Sequence, residues 1–427
     1  MKDPRSMRWW GVITLFVIVA ISYVDRINIS VLITDRDFLS HIGLSANDRT
    51  QQGLLATAFM VGYGVSSFVL TPFCAALFGV RRSLIAGLAL WGVVTFLSPT
   101  MSSYGMLLAS RILLGISEGP LFSLAGSYIK AHFESRENGK PNSLVNMGTG
   151  LGLALGYPFV GYLVAMHDWQ TSFHVLGLIN IALGIPLVLA FIRMPKIETG
   201  MPQPKSMGDA IGQVGQIVRG ALHTRYLVLI TVLTAAFLSY LWGSSNWLPA
   251  YLKESRGFSM REMGWLASLP QYAAVVAVFL GGVLIDRIER RRVPLIFVFG
   301  SLGVALGVWM AIYTQDRYVS AYCLIAANFF WGLMSPAIPS TVQYCARPEH
   351  VASAYGVVNG TGSLVAGFMP AIMGAVIGMA SSRSVSAGFF AGFATLIGTQ
   401  AVVLVCGLVL WWRERHVQEP GARLGVA

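Results

Sequence analysis

Twelve apolar runs, each about long enough to cross a bilayer, dictate what this chain can fold into. They cover residues 9–30, 53–75, 83–99, 104–128, 141–165 and 171–192, then 226–249, 263–284, 293–313, 319–342, 353–378 and 386–412. A bilayer-spanning helix needs about 20 mostly apolar residues. Lipid offers the backbone no hydrogen-bond partners, so runs of this length become helices that satisfy themselves. Hydrophobic residues are 55% of the 427 and charged residues only 11%, against about 25% charged in an ordinary soluble domain. A soluble fold cannot hide that much apolar surface. The expected fold class is an all-α polytopic membrane protein, with 12 transmembrane helices in two six-helix bundles. The 46 glycines suit helices that pack closely. The first run lacks a small-residue cleavage site and eleven more follow it, so it reads as a membrane span and not a cleaved signal.

The runs divide six and six around residues 193–225, a polar segment with three prolines, Pro195, Pro202 and Pro204. The expected organisation is an N-terminal bundle over 1–192, a cytoplasmic linker over 193–225, and a C-terminal bundle with a short cytoplasmic tail over 226–427. The second part of the linker is expected to form an interfacial helix. Orientation follows from Lys and Arg. With the N-terminus inside, the inner segments hold 21 of the 30 basic residues and the outer segments hold seven. Both termini are therefore expected in the cytoplasm. The net charge of +11 is scattered over these short segments. It forms no basic domain, so nucleic acid is not an expected partner. Cys74, Cys323, Cys345 and Cys406 lack metal-ligand spacing and read as small core residues.

The same division isolates four ionisable groups inside the runs: Asp25, Arg26, Arg111 and Glu118. All are in the first half. A charge at membrane depth is expensive and usually faces a cavity or a partner. Span one runs outward, which puts Asp25 roughly 25 Å from its inner end at about 1.5 Å per residue. Span four runs inward, so Arg111 lies about 10 Å from the outer side and Glu118 about 10 Å deeper. Asp25 and Arg111 share a depth at which they can pair. Seven residues place Arg111 and Glu118 on roughly one helix face. Glu118, nearest the midplane, is the expected proton carrier, with Asp25 tuning or sharing the task. A static network holding helices one and four is the structural alternative. A fixed guanidinium grips carboxylates or phosphates, often bidentately. Arg26 is the expected substrate anchor if Asp25 claims Arg111; otherwise Arg111 serves the substrate.

Polar and aromatic residues that can complete a cavity are Tyr23, Tyr63, Asn142, Asn146, Trp242, Asn246, Trp247, Asn328 and Asn359. Helix packing or interfacial anchoring is the alternative for each. Asn359 stands in the stretch NGTG, where glycine permits a bend or close helix contact.

This pattern resembles the major facilitator superfamily, and within it the anion:cation symporter family of bacterial sugar-acid transporters and vesicular organic-anion carriers. YVDRINIS (residues 23–30) resembles that family's first-helix signature. RILLGISEGP (111–120) resembles its fourth-helix arginine–glutamate segment, and WLPAYLKESRGFS (247–259) its seventh-helix exit. The resemblance implies proton-coupled uptake of an organic anion by alternating access. It implies proton coupling at Asp25 and Glu118, substrate at or near Arg26, Tyr63 and Asn359, and pairing of Arg111 with the first-helix acid. Tyr23 and Asn246 join the expected substrate set as cavity residues.

The loop motifs also resemble the family's. GGVLIDRIERRR (281–292) keeps Asp286 and Arg287, expected to latch the inner helix ends. After span two, PFCAALFGVRR (72–82) keeps Gly79, Arg81 and Arg82 but has Ala75 or Ala76 where the family has aspartate. That latch is expected to be weaker, with Arg136 contributing from the loop after span four. The glycines near Gly148–Gly156 follow no strand, so they are not a nucleotide loop, and no Walker sequence supports ATP drive.

The chain therefore reads as a secondary transporter of the bacterial inner membrane, probing no bond chemistry and needing no cofactor or metal. Its expected partners are a small organic anion, protons and the lipid bilayer, with the protein monomeric. The expected substrate is a hexonate, hexuronate or hexarate, or an aromatic carboxylate. An anion exchanger or efflux carrier is the alternative within transport. A non-transporting sensor or scaffold is the alternative outside it, and a membrane-embedded enzyme lacks a nucleophile–base pair.

Overall fold

The computed structural model describes residues 4–74, 78–133, 139–194, 208, 209, 212, 219, 224–346 and 351–415. Of the expected linker helix only residues 208, 209, 212 and 219 are among them, each helical, and Ala75, Ala76 and Arg136 lie outside them. The first half comprises α1 (Pro4–Leu32), a short α2 (Arg36–His41), α3 (Arg49–Phe73), α4 (Gly79–Leu97), α5 (Tyr104–Glu118), α6 (Leu121–His132), α7 (Gly139–Met166), α8 (Trp169–Ile179) and α9 (Ile185–Phe191). The second comprises α10 (Leu227–Ala250), α11 (Met260–Arg287), α12 (Pro294–Tyr313), α13 (Arg317–Met334), α14 (Ala337–Cys345), α15 (Val351–Ala366), α16 (Met369–Ala380) and α17 (Val385–Arg415). Among the described residues, eleven helices are long and apolar enough to cross a membrane. The 25-residue α3, polar over its first four residues and largely apolar from Gly53 on, makes the twelfth long helix. Among the described residues the protein is all-α.

Several crossings are interrupted, and proline explains where. It lacks an N–H and its ring clashes with the carbonyl four residues back. The fourth crossing breaks between α5 and α6 at Gly119–Pro120, directly after Glu118. The sixth widens into a π segment, Asn180–Gly184, just before Pro186. The seventh carries Pro249 and then a π segment, Tyr251–Ser255. π segments interrupt the regular ladder and often mark functional positions.

Within the first half, α1 packs along α7, α3 along α5, and α4 against α8. Within the second, α12 packs on α13 and α17, α11 on α13, and α10 on α15 and α17. Two seams join the halves: α7 against α11, and α3 against α16. The α3–α16 seam needs glycine. A Cβ on Gly53 would sit 2.2 Å from the Pro370 carbonyl oxygen, and one on Gly374 would sit 2.2 Å from that of Arg49.

Polar contacts between the halves gather toward the face opposite the termini. There Arg49 makes a two-pronged ion pair with Glu254 and lies over the Phe389 ring. Lys253 donates to the Thr34 carbonyl at 2.7 Å. The loop before Arg49 is fixed by Asp48, which accepts the Ser45 N–H at 2.6 Å and the Ser45 hydroxyl at 2.8 Å. Those bonds hold the Asp48 carboxyl below its usual range. Nearer the termini, α7 exposes Asn142 and Asn146 and α15 exposes Asn359 and Thr361. The two halves are thus joined on the face opposite the termini.

Glu254→Gln and Gly374→Val should both loosen that closure, the first by weakening the ion pair and the second by forcing α16 from Arg49. Spin labels on Ala46→Cys and Ser382→Cys, with the four native cysteines replaced, should report longer distances in either variant than in the parent.

Candidate functional site

The four membrane-depth charges come together in the first half, and their directions follow from helix geometry. Successive helical residues point about 100° apart, so Asp25 and Arg26 leave α1 toward different neighbours. Ser22 and Arg26, four residues apart, share a face. Both meet Glu118, the last residue of α5. Arg26 donates from Nε and Nη2 to Glu118 Oε2, each at 3.2 Å, and the Ser22 hydroxyl donates to the same oxygen at 2.6 Å. Arg26 is 7% exposed and Glu118 1%. Glu118 Oε1 has no hydrogen-bond partner.

Aromatic rings hold the Arg26 guanidinium. Its carbon lies 4.3 Å from the Tyr23 ring centre, 4.6 Å from that of Tyr63 and 4.9 Å from that of Phe59. Such faces attract a cation most strongly when it is desolvated. Trp242 of the second half stacks on Tyr23 with ring centres 6.4 Å apart. Asn246, one turn along α10, accepts from Ser30 at 3.4 Å, and the Ser245 carbonyl accepts from Tyr157 at 2.7 Å.

Arg111 is 3% exposed and also lies over Phe59, 5.1 Å from the ring centre. Its Nε donates to the Leu55 carbonyl at 3.4 Å. Among the described residues no carboxylate forms an ion pair with it. The direct Asp25–Arg111 pairing expected from their common depth is absent in this conformation. Asp25 instead faces α4 and the π segment, where Oδ2 accepts from the Trp91 indole and from Asn180 Nδ2. Depth was a sound guide, but azimuth around α1 separates the two.

Arg26 and Arg111 both line a cavity of about 30 Å³ between the halves, walled also by Ser30, Trp242, Ser245 and Asn246. That is room for a water or two, so this conformation is contracted around the charges. A separate groove of about 360 Å³ runs from Phe78, Arg82 and Ser83 to Trp91 and Glu118.

The other expected residues are more dispersed. Tyr23, Tyr63 and Asn246 join the cluster, whereas Asn359 is exposed on α15. Asn328 is buried on α13 and Trp247 donates to the Pro370 carbonyl at 2.9 Å. Of the latch set, Gly79 starts α4 at a left-handed φ of 73°, which suits glycine. Arg81 donates to the Leu189 carbonyl at 2.6 Å, within its own half. Arg287 is exposed at the end of α11, which also includes Asp286. Sequence reading missed Ser22, Trp91 and Asn180. Ser22 was findable as the residue four before Arg26, and Asn180 as a lone amide in an apolar run upstream of Pro186. Trp91 carries no signal that separates it from packing.

Known proteins carry the same architecture. Residues 15–370 match the Major Facilitator Superfamily. A probable sulfoacetate transporter of Cupriavidus necator is 30% identical over 384 residues, covering 86% of each chain. A probable galactarate/D-glucarate transporter of Bacillus subtilis is 25% identical, covering 95% of this chain and 92% of its own length. The hexuronate transporter of the same organism is also 25% identical, covering 90% and 92%. Among solved structures, a bacterial homologue of the human lysosomal transporter Spinster aligns with a TM-score of 0.75 at 15% identity, covering 97% of this chain and 98% of that one. The D-xylose–proton symporter aligns at 0.74 and 16% identity, covering 94% and 97%. The chain belongs to the major facilitator superfamily: it is a multi-pass membrane transport protein, not an enzyme.

Proposed function

We propose that this protein takes up a small organic anion together with protons by alternating access, as a member of the anion:cation symporter family in the bacterial inner membrane with both termini cytoplasmic. The observation that carries the reading is the sharing of Arg26. Its guanidinium lines the cavity between the halves and is held there by Glu118. A substrate carboxylate or sulfonate competes with Glu118 for the same donors. Protonating Glu118 weakens its hold and frees Arg26 for the anion. When the anion leaves, Arg26 returns to Glu118 and favours its charged form. Anion and proton then load together and leave together.

Three further features support this reading. Arg111 is a buried guanidinium on the wall of the same cavity, with no ion-pair partner among the described residues, and it gives the anion a second cation. The groove from Arg82 and Ser83 to Glu118 offers protons a way between that carboxyl and the termini-side face. The relatives named above are a probable sulfoacetate transporter, a probable galactarate/D-glucarate transporter and a hexuronate transporter, all named for organic anions. The substrate we propose is of that class, a sugar acid or a short carboxylate or sulfonate. Tyr23, Tyr63, Asn246 and Asn359 are assigned to its organic part. With the termini in the cytoplasm, the closed face is the outer one and the conformation is that of release.

Purified protein in proteoliposomes should accumulate one of D-glucarate, D-galacturonate or sulfoacetate when the outside is made acidic, and a protonophore should abolish the accumulation. Counterflow without any pH-driven net uptake would establish exchange in place of symport.

Glu118→Gln imitates the protonated side chain and leaves Arg26 free at every pH. It should retain counterflow and lose pH-driven accumulation. Persistence of proton-driven accumulation in that variant would remove Glu118 from the mechanism. Arg111→Lys keeps the charge but loses the planar fork. A charge-assisted hydrogen bond contributes about 1.5–3 kcal/mol, so anion affinity should fall by roughly tenfold or more, read by isothermal titration.

A further inference from the structure

The Asp25 carboxyl and the Asn180 amide meet in a half-finished arrangement. Asn180 Nδ2 donates to Asp25 Oδ2 at 2.7 Å. The remaining oxygen of each group, Asp25 Oδ1 and Asn180 Oδ1, is buried and without a partner among the described residues. Both residues are almost wholly enclosed, at 2% and 0% exposure. An orphaned buried acceptor has lost its water without gaining a donor in exchange, and here two acceptors are orphaned on one contacting pair. Neither group can repair the other as it stands, because both free atoms are oxygens that accept.

A single proton repairs both. A carboxylic acid and a primary amide form a closed ring of two hydrogen bonds: the amide N–H donates to the acid carbonyl, and the acid O–H donates to the amide carbonyl. One of these bonds is already present. We propose that Asn180 is the proton-holding partner of Asp25, closing such a ring when Oδ1 of Asp25 is protonated and reopening it when the proton leaves. This rests on the proton-coupled reading above, and it makes Asn180 a positioning residue that acts through Asp25. The atoms balance simply: one O–H bond forms on Asp25, and no other covalent bond changes.

The surroundings suit that role. Asn180 is the first residue of the π segment, where the sixth crossing departs from its regular ladder. The Trp91 indole donates to Oδ2, the atom that remains the acceptor in both states. The charged groups facing Asp25 are Glu118 and Arg111 from α5, with Arg26 beside it on α1. The indole of α4 and the amide of the π segment bring no charge. A proton taken up at Asp25 is therefore stored behind α1, on the side away from Trp242 and the second half. It shares no hydrogen bond with the Arg26–Glu118 pair assigned to the anion, although the Glu118 charge faces it.

The test is infrared difference spectroscopy of the purified protein across a pH titration, without substrate, so that it stands apart from transport. The carbonyl stretch of protonated Asp25 is identified as the band lost in Asp25→Asn. In Asn180→Leu that band should move to higher wavenumber, because the acid loses both amide bonds, and its titration midpoint should move with it. In Asn180→Asp, of the same shape, the N–H donor is gone, so one shared proton makes only a single O–H···O bond between the two carboxyls, and the midpoint should rise because the two charges repel. An Asp25 band with the same position and midpoint in both variants overturns the proposal, as does the absence of any titrating Asp25 band in the parent. If Asn180→Leu does not fold, Asn180→Asp decides alone. Band shifts as described in a protein that shows no proton-driven uptake would leave the ring established and sink the coupling reading instead.

Discussion

The Arg26–Glu118 pair is the constraint around which the first half is organised. Taking two charges out of water costs several kcal/mol per ion even after the surroundings relax. The cost is tolerable only with good geometry and satisfied polar atoms. Here one oxygen of Glu118 takes three donors, and three aromatic rings surround the guanidinium. The second oxygen, Oε1, is left unsatisfied. That unsatisfied oxygen is what lets the pair act as a switch on the proposed reading, as well as a brace. A proton or a competing anion can undo it, whereas a fully satisfied network would resist both.

The positions where the helices break are the positions where polar chemistry sits. Pro120 ends the regular ladder directly after Glu118. Pro186 lies just beyond the π segment that carries Asn180. Pro249 follows Ser245, Asn246 and Trp247 on α10. In lipid an interrupted ladder is tolerated where the freed groups are buried in protein or line a cavity. A break and a buried polar side chain therefore belong together: each relieves a cost that the other would impose alone.

The twelve crossings were legible because length and hydropathy alone decide them, and most edges fall within a few residues of the expected ones, as with 141–165 against Gly139–Met166. The third run, 83–99, looked short because its helix starts four residues earlier, at the left-handed Gly79. The buried charges were legible as exceptions in apolar runs. Their pairings were not. Depth along a helix follows from residue count, but the direction a side chain takes depends on which helices pack around it. Asp25 and Arg111 share a depth, yet Asp25 points to Trp91 and Asn180. For the same reason, the sequence shows Asn359 as a polar residue in an apolar span but not the exposed side of α15 on which it lies.

The second half contributes no charge at membrane depth, yet it contacts the cluster directly, and α3 shows how the two can be linked. Phe59 and Tyr63 on α3 pack against Arg26. Arg49, at the start of the same helix, binds Glu254 of the second half. Ten residues of helix separate Arg49 from Phe59, about 15 Å, and no proline interrupts them. Moving Arg26 away from Glu118 changes what Phe59 and Tyr63 pack against, and α3 carries any resulting rotation to the Arg49–Glu254 contact as a rigid rod. A ligand shifts a conformational equilibrium only by its difference in affinity for the two states. On the proposed reading, an anion on Arg26 gains that difference by displacing Glu118, which changes the surroundings of Phe59 and Tyr63 on the helix whose start holds the closed face.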